Sequence, residues 1–287
     1  MPDIRHTPEA PTSVKALAPG ESIEPHRHDE HQLIYAGSGL LAITTAAGTW
    51  FAPGTRAIWV PAGCVHAHRA HGHLALHLLG LPAGVNPLNL AAPTVLAVSP
   101  LLRELILACT RGPHDDSPER RRLRTVLLDQ LRASPQQPFQ LPSPTDPRLV
   151  TVCGLLHRDP ADPRTLAALA TAAGAGERTL SRLFRRELGM TFPQWRTQLR
   201  LYHALRMLAE DTPVTTVAHR CGWASPSAFI DVFRQALGHT PGTHNHRPLS
   251  HDRRKEHSRR EPPAYPGAST PPRSTFIRGS GVRGGGS

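Results

Sequence analysis

The second half of the sequence repeats itself, and this repeat constrains the fold more than any other feature. The segment LFRRELGMT at 183–191 returns as VFRQALGHT at 232–240, 49 residues later. Upstream of both copies, apolar and small residues correspond at an offset of 48; in the first copy they are Leu166, Leu169, Ala170, Ala173 and Gly174. A turn between helices can absorb the one-residue difference. Two copies of one supersecondary unit therefore explain this region better than one irregular helical bundle.

Each copy has the pattern of a helix-turn-helix. A short helix with an apolar stripe ends at a glycine, Gly174 in the first copy and Gly222 in the second, where the sharp turn begins. The next helix of the first copy is predicted to bury Leu180, Leu183 and Phe184. Its opposite face is polar and basic, as entry into a DNA major groove requires. In this copy we expect the DNA-binding residues to be Arg178, Thr179, Ser181, Arg182 and Arg185.

The last helix of the second copy presents a less basic face. Its predicted DNA-binding residues are Ser225, Ser227, Ala228, Asp231 and Arg234. The carboxylate of Asp231 is unfavourable beside phosphate, so we expect this unit to contact bases weakly or mainly to position the protein on DNA.

A helix of about 16 residues, or about 24 Å, is predicted between the two units, over FPQWRTQLRLYHALRMLAED. Arg196 and Arg200 share one side of it and complete the predicted DNA-binding set. Joined in this way, two recognition helices can enter successive major grooves about 34 Å apart. The charge distribution agrees, because residues 148–247 carry 13 Lys+Arg against 7 Asp+Glu, whereas residues 1–147 carry 12 of each.

The first half is predicted to be rich in short strands. Apolar segments such as HQLIYAG, RAIWVPAG and LALHLLG are separated by turn signals about every ten residues through 20–98, a spacing typical of a β-sandwich or barrel. In 99–133 the spacing of apolar residues becomes that of helices. The segment 134–147 is rich in proline, and 248–287 has few apolar side chains that a core could bury.

The helical half resembles the DNA-binding domain of AraC-type transcriptional regulators, from RTLAALATAAG through VFRQALGHTPG, over about a third of the chain. Trp223 stands where the family commonly has phenylalanine, and PGTHN stands where it commonly has Tyr-Arg after the last proline. The resemblance implies a sequence-specific regulator of transcription that binds double-stranded DNA and responds to a small-molecule effector. It also implies a homodimer and, as a further candidate partner, RNA polymerase.

The first half resembles the cupin barrel that many such regulators carry. GESIEPHRH at 20–28 is similar to the first cupin motif and PAGCVH at 61–66 to the second, and their combination resembles regulators that control a neighbouring gene such as an efflux transporter. The predicted fold is therefore multi-domain α+β. Its parts are a cupin-like effector-binding barrel at 1–98, a helical dimerisation and coupling segment at 99–133, a proline-rich linker at 134–147, a tandem helix-turn-helix domain at 148–247 and a disordered basic tail at 248–287.

Histidines of the two motifs predict either a metal site or a polar pocket. His26 and His28 are two residues apart and so face the same way on a strand, and His66 can complete a set suited to a divalent transition metal. The cupin pattern continues with a glutamate where this chain has Gln32 and Leu33, so His31 or Glu30 is the candidate for a fourth ligand, and either needs a bulge to turn inward. The nearby His68, His71 and His73 are predicted to lie on a solvent-facing strand and turn. The candidate residues of a ligand pocket are Gln32, Trp50 and Trp59, although the two tryptophans also fit a core.

Composition favours a cytoplasmic protein. The four cysteines are scattered and contain no C-x-x-C pair, as expected of reduced thiols, and neither a secretory signal nor an apolar run of membrane-spanning length is recognisable. Nothing supplies a clear base and nucleophile pair, so we do not expect an enzyme. Two alternatives stay open: a metal-dependent cupin enzyme with an accessory helical domain, and a module that binds another protein.

Overall fold

Two six-stranded sheets form the first half of the protein, in a computed structural model that describes residues 4–112 and 115–243. The strands are β1 Arg5–Thr7, β2 Ser13–Leu17, β3 Ser22–His28, β4 His31–Ala36, β5 Leu40–Thr45, β6 Gly48–Pro53, β7 Arg56–Val60, β8 His66–His71, β9 Leu74–Leu81, β10 Thr94–Ala97, β11 Gln136–Gln137 and β12 Gln140–Pro142. Their order is β1-β3-β8-β5-β6-β12 in the first sheet and β11-β10-β7-β4-β9-β2 in the second. The cupin-like, strand-rich half is thereby confirmed, whereas the predicted tail at 248–287 lies outside the described residues.

Strand β4 shows how the second sheet is covered on both faces. All six of its residues are buried. Ile34 faces the core between the two sheets, while Leu33 and Tyr35 face a second apolar cluster on the outer side, because successive strand residues point to opposite faces.

Two helices supply that outer cover, as the helical period of 99–133 predicted. They are α1 Pro100–Arg111 and α2 Pro118–Arg132, each with a proline in its first turn after a serine that caps it. The predicted stripe of α1, including Leu102, Ile106 and Cys109, packs into the outer cluster.

The segment expected to be a linker, 134–147, takes part in both sheets instead. Strand β11 pairs with β10, and strand β12 pairs with β6. Phe139 and Leu141 are buried in the core, which holds this part of the chain in place. Prolines are tolerated here because both strands lie at sheet edges.

The helical half contains the two predicted helix-turn-helix units. Its helices are α3 Pro147–Arg158, α4 Leu166–Ala172, α5 Glu177–Leu188, α6 Phe192–Ala209, α7 Val214–Arg220 and α8 Pro226–Leu237. Helices α4 and α5 form the first unit, α7 and α8 form the second, and α6 joins them over 18 residues, about 27 Å. Both turn glycines have left-handed backbones, with φ of +62° at Gly174 and +75° at Gly222.

Helix α6 also packs on the first sheet. The ring of Tyr202 lies 5.2 Å from that of Phe51, centroid to centroid, and one apolar cluster runs from the sheets into the helical half. Residues 1–248 accordingly form one compact unit. None of the helices in the described part of the chain has both the length and the apolar character needed to cross a bilayer.

Candidate DNA-binding surface and effector cavity

Helix α5 has one buried face and one basic face. It begins after Gly176 and ends at Gly189, whose φ of +65° allows the left-handed cap. The inward side chains are fully buried, Phe184 and Leu180 among them. On the opposite side, separated by four and three positions, the exposed residues are Arg178, Arg182 and Arg185. Among the described residues these three arginines have no hydrogen bond or ion pair, so their charges are available to an external anion.

The two other predicted residues of α5, Thr179 and Ser181, are half-buried at the edges of this basic face. The structure therefore brings together all five residues that the sequence assigns to the first unit. We call the exposed arginines at 178, 182 and 185 the arginine stripe.

Helix α8 presents a face with less free charge. Ser225 is its N-cap, and its hydroxyl accepts a hydrogen bond from the backbone N–H of Ala228 at 3.1 Å. The guanidinium of Arg234 donates to the carboxylate of Asp231 at 2.8 Å, and both side chains are exposed. Ser227 is exposed and Ala228 half-buried beside this pair. Because Asp231 balances Arg234, this face of α8 offers a phosphate little net attraction.

Arg196 and Arg200 lie elsewhere than expected. Both are half-buried against the loop before α4, where Arg196 donates to the carbonyl of Arg164 at 3.0 Å and Arg200 to that of Pro160 at 3.0 Å. Burial lowers the pKa of both guanidinium groups. Their donors tie α6 to the loop before the first unit, so both guanidinium groups are already engaged within the protein.

A cavity of about 790 Å³ opens at the side of the strand-rich half, where β1 and β3 approach β2 and β9. Its wall includes the predicted Gln32 together with the charged side chains of Arg5, Lys15, Glu30 and Arg124. Mixed charges around a concave surface are suited to a polar small molecule.

The two tryptophans predicted to line a pocket are core residues instead. Trp50 is buried between the sheets, and Trp59 belongs to the outer cluster, where its ring stacks on that of His31 at 4.9 Å. Neither contributes to the cavity wall. One of these side chains packs between the two sheets and the other packs under the outer helices. The sequence alone was compatible with either a pocket or a core position for both.

His31 is also removed from the predicted metal set. Its Nδ1 accepts from the backbone N–H of Ala62 at 2.9 Å, and its Nε2 donates to the carbonyl of Ala83 at 3.0 Å. With both ring nitrogens bonded to backbone, His31 fixes two loops and has no lone pair left for an ion.

Four other histidines do come together, on β3 and β8. The donor nitrogens of His26, His66 and His68 lie within 4.8 Å of one another. The ring of His28 is 5.0 Å from that of His26 and 5.6 Å from that of His66, centroid to centroid. We call these four residues the histidine cluster; three of them, His26, His28 and His68, line the cavity.

His68 is the member that sequence reasoning placed wrongly, since it is buried rather than solvent-facing. The available signal was its spacing, because His66 and His68 are two residues apart and so face the same way on β8. Burial lowers the pKa of every member of the cluster, to about 4 for His66 and well below 6.5 for His68. The four imidazoles are therefore neutral at pH 7.

Known proteins match both halves. The family profile described as an AraC-like ligand binding domain matches residues 14–192, and a helix-turn-helix domain profile matches residues 169–247. The HTH-type transcriptional regulator NimR of Escherichia coli K12 is 36% identical over 222 residues, which are 76% of this chain and 80% of that protein. A putative AraC-like transcription regulator of Streptomyces antibioticus is 34% identical over 105 residues, 36% of this chain and 35% of that protein.

Among solved structures, the DNA-binding domain of AdpA, a global transcriptional factor crystallised with a target DNA, is 33% identical. It covers 36% of this chain and 92% of the AdpA domain, with a TM-score of 0.33. The family assignment rests on the long match to NimR and on the ligand-binding profile, which extends over more than half of the sequence. It does not depend on the structural comparison. The chain belongs to the AraC family of transcriptional regulators, with an N-terminal ligand-binding domain and a C-terminal helix-turn-helix domain.

Proposed function

We propose that this protein binds specific sites on double-stranded DNA through α5 and α8 and changes transcription when a small molecule occupies the cavity. The arginine stripe carries the proposal. Three cations stand exposed and unpaired, among the described residues, on the outer face of a helix whose other face is fully buried. Such a helix is stable without DNA and needs no rearrangement to enter a major groove.

The two units have unequal roles in this proposal. Arg178, Arg182 and Arg185 supply free charge and fork-shaped donors for phosphates and guanine edges. In α8, Arg234 is engaged by Asp231, so Ser227 and the N-terminal end of the helix make the closest approach. Arg196 and Arg200 act from within, because their hydrogen bonds to the loop before α4 hold the first unit on α6. The first unit thus provides most of the affinity and the second sets the register.

The effector site is assigned to the cavity, with Gln32 in its wall. The proposed route from the cavity to DNA runs through the first sheet, since α5 and α6 pack on β12 and α6 also packs on β5. Helices α1 and α2 cover the opposite side of the domain, where α1 packs on β9 and β2. Leu101 on α1 and Val126 on α2 expose 52% and 42% of their surface, which supports a homodimer contact there rather than coupling.

We assign the protein to the cytoplasm, where DNA and RNA polymerase are accessible, and to control of a neighbouring gene such as a transporter. Its relatives are transcriptional regulators, which favours regulation over catalysis. A metal-dependent enzyme would show substrate turnover by the purified protein, and a module for protein partners alone would show no salt-dependent retention on DNA.

Selection from a pool of random duplexes tests this function. We expect the full chain to enrich one sequence motif, and to bind it with an affinity that falls steeply as salt rises. A variant that lacks the stripe, with alanine at 178, 182 and 185, is expected to enrich none. Equal enrichment by the variant, or no motif with the natural chain, would contradict the assignment.

A further inference from the structure

The histidine cluster is built by an irregularity in the pairing of β3 with β8. Ile23 lies opposite His68 and His26 lies opposite His66, so three steps along β3 match two steps along β8. The extra residue is a β-bulge that includes Pro25, a residue that strands accept mainly at bulges and edges. Without the bulge, Ile23 and His26 would point to opposite faces. With it, His26 joins His66 and His68 on one face.

Hydrogen bonds within the protein fix the orientation of three of these rings, and in His28 the bond joins Nδ1 to the hydroxyl of Thr7 at 2.7 Å. Nδ1 of His26 donates to the carbonyl of Glu24 at 2.7 Å, and Nδ1 of His66 donates to the carbonyl of Cys64 at 2.9 Å. A neutral imidazole that donates from Nδ1 has a bare lone pair on Nε2. A backbone carbonyl behind the ring is the same arrangement that orients histidine ligands in metalloproteins.

Several other ring nitrogens of the cluster are buried without partners. Nε2 of His28, Nε2 of His66 and both ring nitrogens of His68 have no hydrogen bond among the described residues. These three side chains are 5% exposed or less. Leaving a buried polar atom unsatisfied costs about 1–3 kcal/mol. Each of these three neutral rings has one lone pair, so one ion can accept a single nitrogen from each of them.

We propose that His26, His66 and His68 bind a divalent transition metal ion in the wall of the effector cavity, with the ring of His28 beside them. Neutral imidazoles are the ligands that zinc, copper, nickel and iron share. No carboxylate belongs to the group of donor atoms that lie within 4.8 Å of one another. His68 thus takes the place of the acidic ligand that Gln32 and Leu33 do not supply.

The ion would be part of the effector site, because His26, His28 and His68 also line the cavity. Three protein ligands leave a tetrahedral ion one position, the arrangement of sites that bind a small molecule directly. The class of ligand that this favours is a small molecule with an oxygen or nitrogen donor. This last step rests on the proposed function, whereas metal binding itself does not.

Cobalt binding to the full-length protein, without a histidine tag, tests the proposal. After treatment with a chelator, we expect the chain to bind one Co²⁺ tightly and to show a visible absorption band from a nitrogen-ligated ion. Replacing His68 or His26 by alanine is expected to weaken binding by at least about tenfold. Because His26 is only half-buried, H26A tests the site even if H68A does not fold.

The chain has 18 histidines, so a matched control is needed. His73 is exposed, just beyond β8, and H73A should bind cobalt like the natural chain. Equal binding by H26A and the natural chain, or no tight site in the natural chain, would overturn the proposal. Binding to a selected duplex is measured on the same samples. A protein that binds DNA but no metal contradicts the metal site and leaves the proposed function intact, whereas a protein that binds metal but no DNA does the reverse.

Discussion

Replacing Arg182 by alanine is the sharpest test of how this protein contacts DNA. Arg182 is the middle member of the arginine stripe, whose first and last members are seven residue rises apart on α5, or about 10.5 Å. That length matches about three base-pair rises of 3.4 Å along the DNA axis. Because Arg182 is exposed and bonded to no other described residue, its removal should change the free energy of unfolding by no more than about 0.5 kcal/mol. A change in affinity therefore reports a lost contact with DNA.

The size of the loss identifies the contact. A bidentate contact with guanine is worth about 1–3 kcal/mol, so R182A should weaken binding to a selected duplex about 5- to 150-fold and leave binding to a scrambled duplex nearly unchanged. A phosphate contact instead weakens both and lowers the slope of log K against log salt by about 0.9. Fluorescence anisotropy of both duplexes at several salt concentrations distinguishes the two results.

A charge-matched control is available on α2. Arg122 is exposed and pairs only with Glu119 at 2.8 Å among the described residues, so R122A removes the same charge from the ligand-binding domain. We expect R122A to bind both duplexes like the natural chain. If R122A loses as much affinity as R182A, net charge and not the stripe drives binding. If R182A loses none, α5 is not the recognition helix.

Two further predictions concern stability. Gly222→Ala should lower the melting temperature by several degrees, because the residue has a φ of +75° and a Cβ there would lie 2.7 Å from Cα of Ala161; differential scanning calorimetry measures this, and an unchanged melting temperature would contradict it. Burial holds the pKa of His77 and of His203 at about 4, below the ordinary 6.5, so the unfolded chain takes up protons first as pH falls. The free energy of unfolding should then fall between pH 6.5 and 4 by up to about 1.4 kcal/mol per pH unit for each histidine, as urea titrations in the presence of a chelator at pH 7 and pH 5 will show; equal stability at both would refute it.

The sequence predicted the helical half well because its signals are local. Helix caps, turn glycines and the spacing of buried residues all act within one or two turns of the chain. The stripe on α5 follows directly, since a helix that buries Leu180, Leu183 and Phe184 has to expose its opposite face. Helical spacing did not predict the hydrogen-bond partners of Arg196 and Arg200. Their positions depend on a loop 32 to 40 residues earlier in the chain, whose carbonyls they reach at 3.0 Å.

In the strand-rich half, strand existence was predictable but the direction of side chains was not. Trp50 and Trp59 could face a pocket or a core, and the choice depends on which strands become neighbours. Placing His26 on the same face as His66 and His68 required knowledge of the bulge in β3, and strand pairing is a long-range property. The proline-rich segment before α3 was read as a linker because its edge-strand partners are remote in sequence.

Strand β8 links the cavity to the helices, and we propose that it transmits the effect of a ligand near the histidines to the DNA-binding units. Its first residues belong to the histidine cluster, and its last, His71, places Nε2 3.4 Å from the hydroxyl of Tyr202 on α6. The next residue, Gly72, has φ +77° and approaches Ala209 so closely that a Cβ would lie 2.7 Å from the Ala209 carbonyl oxygen. A rigid strand thus meets the one helix that joins both DNA-binding units. A ligand can favour one arrangement of these units only if it binds that arrangement more tightly. In this proposal, a ligand that binds one position of β8 more tightly would favour one position of α6, and with it one spacing of α5 and α8.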